Sequence, residues 1–128
     1  MQEQNIGVIC ASGHALGLLT NAGPQEWNPA DNSIKKICHE AGHLCRQADI
    51  ELGKLAMYHF LQLAGPATFL VGMQSIKLVE LNLNAYINGL DEPETKMLAY
   101  LKTKVFNRLN QTHWEGIEVE RYWAHMKK

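Results

Sequence analysis

Phe69-Leu-Val-Gly-Met-Gln-Ser-Ile-Lys-Leu-Val-Glu-Leu-Asn82 is the stretch around which the chain is organised. Phe69, Leu70 and Val71 form an apolar run with no polar residue between them. Such a run predicts a strand buried on both faces, as in a parallel sheet. Gly72 ends it. Ser75 predicts the N-cap of a helix from Ile76 to about Asn88, with Gly89 as the stop. Ile76, Val79, Leu83, Tyr86 and Leu90 recur at helical spacing and predict one apolar face. A glycine at the carboxyl end of a strand, followed by the free amides of a helix start, can hold a phosphate. The backbone N–H groups and the helix dipole both favour an anion there. The same strand–turn–helix pattern also serves purely structural turns in many α/β proteins.

Working outward, Ile6-Gly-Val-Ile-Cys-Ala11 is a second continuous apolar run and predicts another buried strand. Ser12-Gly13-His14 forms the turn after it. A long loop with Pro24 and Pro29 follows, and long loops on compact domains are often functional. A helix is expected from between Pro29 and Ser33 to about Ala48, with Ile34, Ile37, Ala41, Leu44 and Ala48 as its apolar face. A second helix, Lys54 to Leu63, is apolar on most sides and is stopped by Ala64-Gly65-Pro66. After the helix that follows Ser75, Asp91-Glu92-Pro93 opens a last helix through about Leu109, with Pro93 suited to its first turn. The tail from Asn110 shows little periodicity, and its His113-Trp114 and Tyr122-Trp123 pairs suggest packing across a surface. Strands alternating with helices imply parallel βα units. Two strands are too few for a stable parallel sheet, and both flanks would be open edges. Further strands before Gln2 are therefore expected.

One domain is the natural count for 128 residues. A net charge of −1 and a pI near 6.6 argue against a nucleic-acid or anionic-membrane surface. No apolar run approaches the roughly 20 residues that span a bilayer. The start, Met1-Gln-Glu-Gln-Asn5, lacks the basic residues of a signal peptide. Three cysteines, Cys10, Cys38 and Cys45, are an odd number without zinc-knuckle spacing. A reduced, cytoplasmic protein is expected.

His39-Glu40-Ala41-Gly42-His43 matches the H-E-x-x-H zinc-protease pattern, in which two His on one helix face bind zinc and the Glu acts as general base. With about 100° between successive residues, Ile37, Ala41, Leu44 and Ala48 fall at about 240–300° from Cys38, and His39 and His43 at about 100–140°. Lys35, Lys36 and Arg46 share the histidines' side. The pair is expected on a solvated, cationic face, and no metal site is expected. Cys38 and Cys45 border the apolar face and read as small core residues.

The runs Gly-Val-Ile-Cys-Ala-Ser-Gly-His-Ala-Leu-Gly-Leu-Leu-Thr at 7–20, Leu-Val-Gly-Met-Gln-Ser at 70–75 and Leu-Asn at 81–82 resemble the aldo-keto reductases. Gly23-Pro24-Gln25-Glu26-Trp27, and His113-Trp114 with Gly116-Ile117, resemble the branch that holds the L-galactose and D-arabinose dehydrogenases. The resemblance covers nearly the whole chain, with the motifs in family order. It implies an α/β fold: the C-terminal part of a truncated (β/α)8 TIM barrel, namely strands seven and eight with their helices over residues 1–91, then a C-terminal helix and tail over 92–128. Such barrels often bind phosphate in the loops after those strands.

The resemblance further implies an NAD- or NADP-dependent oxidoreductase acting on a sugar or carbonyl substrate. It assigns Ser12 to the pyrophosphate, and Gly72, Gln74 and Ser75 to the adenosine-side phosphate. Leu78 would lie beside the adenine ribose and Asn82 near the adenine. His14 could touch the cofactor or be a surface histidine. Trp27 could wall the substrate pocket or pack the loop. Leu81 stands where the family has Glu, and Leu78 where many members have Gln or Arg. Gly13-His14 replaces Pro-Leu after the serine, which would loosen that turn. With Lys77 the only nearby cation, NAD is at least as plausible as NADP. The family's catalytic Asp, Tyr, Lys and His motifs do not occur in this chain, and Tyr58, Tyr86, Tyr100 and Tyr122 fall on helices or in the tail. The expectation is the adenine half of a cofactor pocket without the chemistry. The alternatives are a non-catalytic module that associates through open strand edges and, last, a zinc peptidase.

Overall fold

The computed structural model describes residues 6–126, apart from the side chains at 118, 121, 122 and 125. Strands β1 (Ile9–Ala11) and β2 (Thr68–Leu70) pair in parallel, with Ile9 opposite Thr68, Cys10 opposite Phe69 and Ala11 opposite Leu70. Parallel pairing needs a long crossover, and helices α1 (Asn32–Gln47) and α2 (Leu52–Leu61) supply it. Helices α3 (Ile76–Ile87), α4 (Glu92–Tyr100) and α5 (Ile117–Met126) follow β2. The alternation of strands and helices and the parallel sheet are those expected.

The strands are shorter than the apolar runs and are covered on one face only. Side chains alternate along a strand. Cys10 and Phe69 point to the helices, where they join Met57, Phe60 and Ala85. Ile9 and Leu70 point the other way and are 68% and 63% exposed. The expectation of two buried faces is thus corrected: among the described residues, no element covers the second.

Asp31 caps α1, its Oδ1 accepting from the Ile34 amide at 2.9 Å and the Ser33 hydroxyl at 2.7 Å. The helix buries Ile34, Cys38, Ala41, Gly42 and Cys45. Its core face is therefore centred nearer the cysteines than expected; Ile37 and Leu44 flank it and Ala48 is exposed. Burial pushes the thiols of Cys38 and Cys45 up to about 11, with Glu51 adding to the effect at Cys45. Helix α2 begins at Leu52, earlier than expected, because the Glu51 carboxylate caps it by accepting from the Gly53 amide at 3.1 Å.

Ser75 caps α3 as expected, and Gly89 follows its end at φ +69°. The face that packs is another correction. Asn82 and Ala85 are buried against α2, whereas Ile76, Leu83 and Tyr86 are exposed. Helical spacing picks out an apolar stripe, but the small Ala85 turns toward Met57 and Phe60 in the core.

Asp91 and Glu94 form a reciprocal capping box at α4, with Pro93 in the first turn. The Lys54 ammonium, on α2, meets both Glu94 oxygens at 2.7 Å. Beyond Tyr100 the helix widens into a π turn over Leu101–Val105, then tightens over Phe106–Arg108. The expected helix to Leu109 is thus a helical run of mixed pitch, which turns Leu101 and Val105 into the core beside Ala41, Cys45 and Leu55.

The tail departs most from expectation, since Ile117–Met126 is helical. Trp114 packs on the cluster of Leu18, Ala30, Ile34 and Cys38, while His113 is exposed. The side chain of Tyr122 lies outside the described residues.

Candidate cofactor cleft

At the carboxyl ends of β1 and β2 the chain turns away at Ser12 and Gly72, and the two turns face each other across a cleft of about 340 Å³. Ser12, Gly13, His14 and Leu16 form one wall, Val71 and Gly72 the other. No acidic side chain lines it. Ligands of open parallel sheets bind at this end of the strands.

The Ser12 wall is held in an uncommon conformation. Ser12, Ala15 and Leu16 have φ of +64°, +50° and +55°. Left-handed backbone at a residue with a side chain costs about 1–3 kcal/mol and persists only where the surroundings impose it. Here they do. The Ala15 amide donates to the Ser12 carbonyl at 2.8 Å, and the Gly17 and Leu19 amides donate to the His14 carbonyl at 3.0 and 3.2 Å. The imidazole of His14 donates through Nε2 to the Gly53 carbonyl at 3.1 Å. Asn28, 1% exposed, donates through Nδ2 to the Leu16 carbonyl at 3.1 Å.

Gly13 lies so close to Phe60 that an added Cβ would stand 2.4 Å from the ring. The expected loosening of this turn by Gly13-His14 is therefore corrected. Gly13 lets the turn settle on Phe60, and His14, half-buried, ties it to α2. The long loop is anchored as well: the Asn21 amide donates to Glu51 Oε1 at 3.0 Å, Asn21 Nδ2 donates to the Ile50 carbonyl at 2.8 Å, and Arg46 bonds the Asn21 carbonyl. Asn21 and Asn28 escaped the sequence reading. Their one signal is that both are asparagines in a loop that holds two prolines, where side-chain-to-backbone bonds are common.

On the other wall, a Cβ added to Gly72 would meet nothing within 4 Å. The open space there can admit a ligand close to the backbone. The Ser75 hydroxyl accepts from the Leu78 amide at 3.3 Å. The amides before it in the first turn of α3 have no carbonyl partner within the helix. Gln74 and Ser75 are exposed at the start of α3, outside the cleft wall, and Leu78 is half-buried. Asn82 is 5% exposed, and its Oδ1 has no hydrogen-bond partner among the described residues. The structure thus joins Ser12 and Gly72 in one cleft and strings Gln74, Ser75, Leu78 and Asn82 along the adjoining helix.

Tyr58, Tyr86 and Tyr100 lie on α2, α3 and α4, and none lines the cleft. Trp27 is 65% exposed and lines neither this cleft nor the larger cavity described below. His39 and His43 are exposed on α1, and the Glu40 carboxylate between them accepts from Arg108 at 2.6 Å. Among the described residues no group of three or more His, Cys, Asp or Glu is placed to hold a metal, and no helix is long and apolar enough to cross a membrane.

Parallel strands joined by a helical crossover, with a cleft at their carboxyl ends, define a βα unit of the α/β class. The chain belongs to the aldo/keto reductase family, whose profile matches residues 1–102. It is 38% identical over 85 residues to L-galactose dehydrogenase of Arabidopsis thaliana, a match that takes in 66% of this chain and 27% of that relative. The matched stretch is thus about a quarter of the relative's length.

Proposed function

We propose that this chain supplies the phosphate and adenine side of the cofactor site in an NAD(P)-dependent oxidoreductase acting on a sugar or carbonyl substrate. In this proposal β1 and β2 are strands seven and eight of a (β/α)8 barrel. The facing of Ser12 and Gly72 across one cleft, with the start of α3 beside it, carries the proposal. The residues fit a diphosphate: a serine on one wall, open space over a glycine on the other, and no carboxylate to repel an anion. At about 340 Å³ the cleft is at the small end of ligand sites and would take part of a dinucleotide. Ser12 would donate to the pyrophosphate, and Gly72, Gln74 and Ser75 would meet the adenosine-side phosphate. Leu78 would pack beside the ribose and Asn82 would serve the adenine. The cleft walls hold no Lys or Arg to grip a 2′-phosphate, so NAD suits them as well as NADP. When bound, the nicotinamide supplies hydride transfer; this chain's residues bind and orient. The relative's name, L-galactose dehydrogenase, favours a sugar as substrate.

Titration with NADH and NADPH tests this, followed by energy transfer from the tryptophans to the reduced nicotinamide. Saturable binding is expected. Ser12→Gly should weaken it about tenfold while relieving the left-handed strain, so lost binding could not be blamed on unfolding. A folded chain that binds neither nucleotide would refute the proposal. A second reading rests on Ile9 and Leu70, exposed on the uncovered sheet face: a non-catalytic module that associates with another chain there. A native mass above the monomer, lost on Leu70→Lys, would support it.

A further inference from the structure

A second cavity, of about 500 Å³, opens between α1, α2 and the helical run after α4. We propose that it binds a medium-chain carboxylate, with the alkyl chain among Leu19, Leu98, Phe106 and Trp114 and the head group at Lys102. The size is that of a small-molecule site. The lining is chiefly apolar, and the four residues named for the chain are half-buried, with surface open to the cavity. Lys102 and His59 bring polar groups to the wall, with no acidic side chain beside them. The ion pairs among the described residues use Lys54, Lys96 and Arg108, not Lys102. An ammonium at an apolar cavity without a carboxylate partner is complementary to an amphipathic monoanion and opposes an amphipathic cation.

The wall that carries Lys102 is itself unusual. Leu101 and Lys102 open the π turn, a form found mostly as isolated bulges and often at functional sites. The turn sets Leu101 fully inside while Lys102, its neighbour, is exposed. His59 supports the assignment: burial, and then the nearby Lys102 charge, hold its imidazole below the usual histidine range. This site shares no carrying residue with the cofactor cleft, so either can fail without the other.

The test is amide NMR of the full 128-residue chain, titrated below micellar concentrations with hexanoate, octanoate, decanoate and decanol. Saturable shifts are expected at Leu19, Leu98, Phe106 and Trp114. Affinity should rise roughly tenfold for each two methylenes added to the carboxylate. Lys102→Glu, on an exposed side chain, should weaken decanoate at least tenfold and decanol less than twofold. Ala56→Phe, which fills the cavity, should abolish both. Absence of saturable shifts, shifts scattered over the surface, or a Lys102→Glu variant that treats decanoate and decanol alike would each overturn the proposal.

Discussion

Replacing Gly13 with alanine tests how the Ser12 turn is built. The added Cβ would stand 2.4 Å from Cδ1, 2.6 Å from Cγ and 3.0 Å from Cε1 of Phe60. The ring has little room to retreat. Phe60 is 7% exposed, packs with Met57 and Ala85, and meets Phe69 edge-on at 4.8 Å between centroids. Overpacking of a filled core costs about 1–3 kcal/mol. Disturbing an edge-to-face aromatic pair adds about 0.5–1.5 kcal/mol. A loss of about 2–4 kcal/mol is expected from these two causes together. In urea, with a slope of about 1–3 kcal/mol/M, the midpoint should fall by roughly 1–2 M at unchanged slope. Phe60→Leu supplies the control: in that background Gly13→Ala should cost less than half as much, since residues in contact are not additive. A midpoint shift below about 0.3 M, or strict additivity with Phe60→Leu, would refute the claim that contact with Phe60 fixes this turn.

Lys54→Met should destabilise the chain by about 3–5 kcal/mol, because it leaves the nearly buried Glu94 carboxylate without its ammonium; Glu94→Gln in the same chain should recover part of the loss in a urea titration. Asp31→Ala should lower the melting temperature at pH 7. The Asp31 carboxyl lies below its usual range because the Ile34 amide, and then the Ser33 hydroxyl, donate to it. Its stabilisation is therefore present above about pH 4 and lost as pH falls through the folded value, so the gap between variant and parent should close in acid melts. Asn82→Leu should raise stability by about 1 kcal/mol, because it removes a buried carbonyl oxygen that has no partner among the described residues; the same change should weaken NADH binding. With thiols pushed up to about 11, Cys38 and Cys45 should resist a thiol reagent at pH 8 until the chain unfolds, while the half-buried Cys10 reacts first.

The local signals that were legible are those that act within a few residues. Ser75 and Asp91 satisfy amides three positions ahead, so the starts of α3 and α4 could be read from the sequence. The apolar runs at β1 and β2 gave the parallel pair. The faces were harder. Ile76, Leu83 and Tyr86 form a good helical stripe, yet Asn82 and Ala85 are what α2 covers. Periodicity reports that a helix has sides, and only the neighbours decide which side is covered. The π turn was illegible for a related reason: the contacts that reward it, Leu101 and Val105 against Ala41 and Leu55, join residues far apart in the chain. The tail helix was missed although Ile117–Met126 is clearly amphipathic, because the glycine just before it hides the start.

The Ser12 turn was least legible, and it is the part that matters most to the cleft. Sequence reasoning places left-handed backbone at glycine, and Gly17 obeys at φ +89°. Ser12, Ala15 and Leu16 have no such excuse. Their conformation is imposed from elsewhere, by Asn28 on the Leu16 carbonyl, by His14 on Gly53 and by Gly13 against Phe60. A chain selected for stability alone would place glycine at some of these positions, because the left-handed form costs glycine little. On the proposed reading, a serine held where glycine would be more stable offers the ligand its hydroxyl, and Ser12 is the one hydroxyl among the residues that line the cleft. Strain and chemistry therefore coincide at the same residue, where a diphosphate would lie. Helix physics alone points to Gly72 and Ser75 on the facing side, whereas Ser12 enters through the family resemblance.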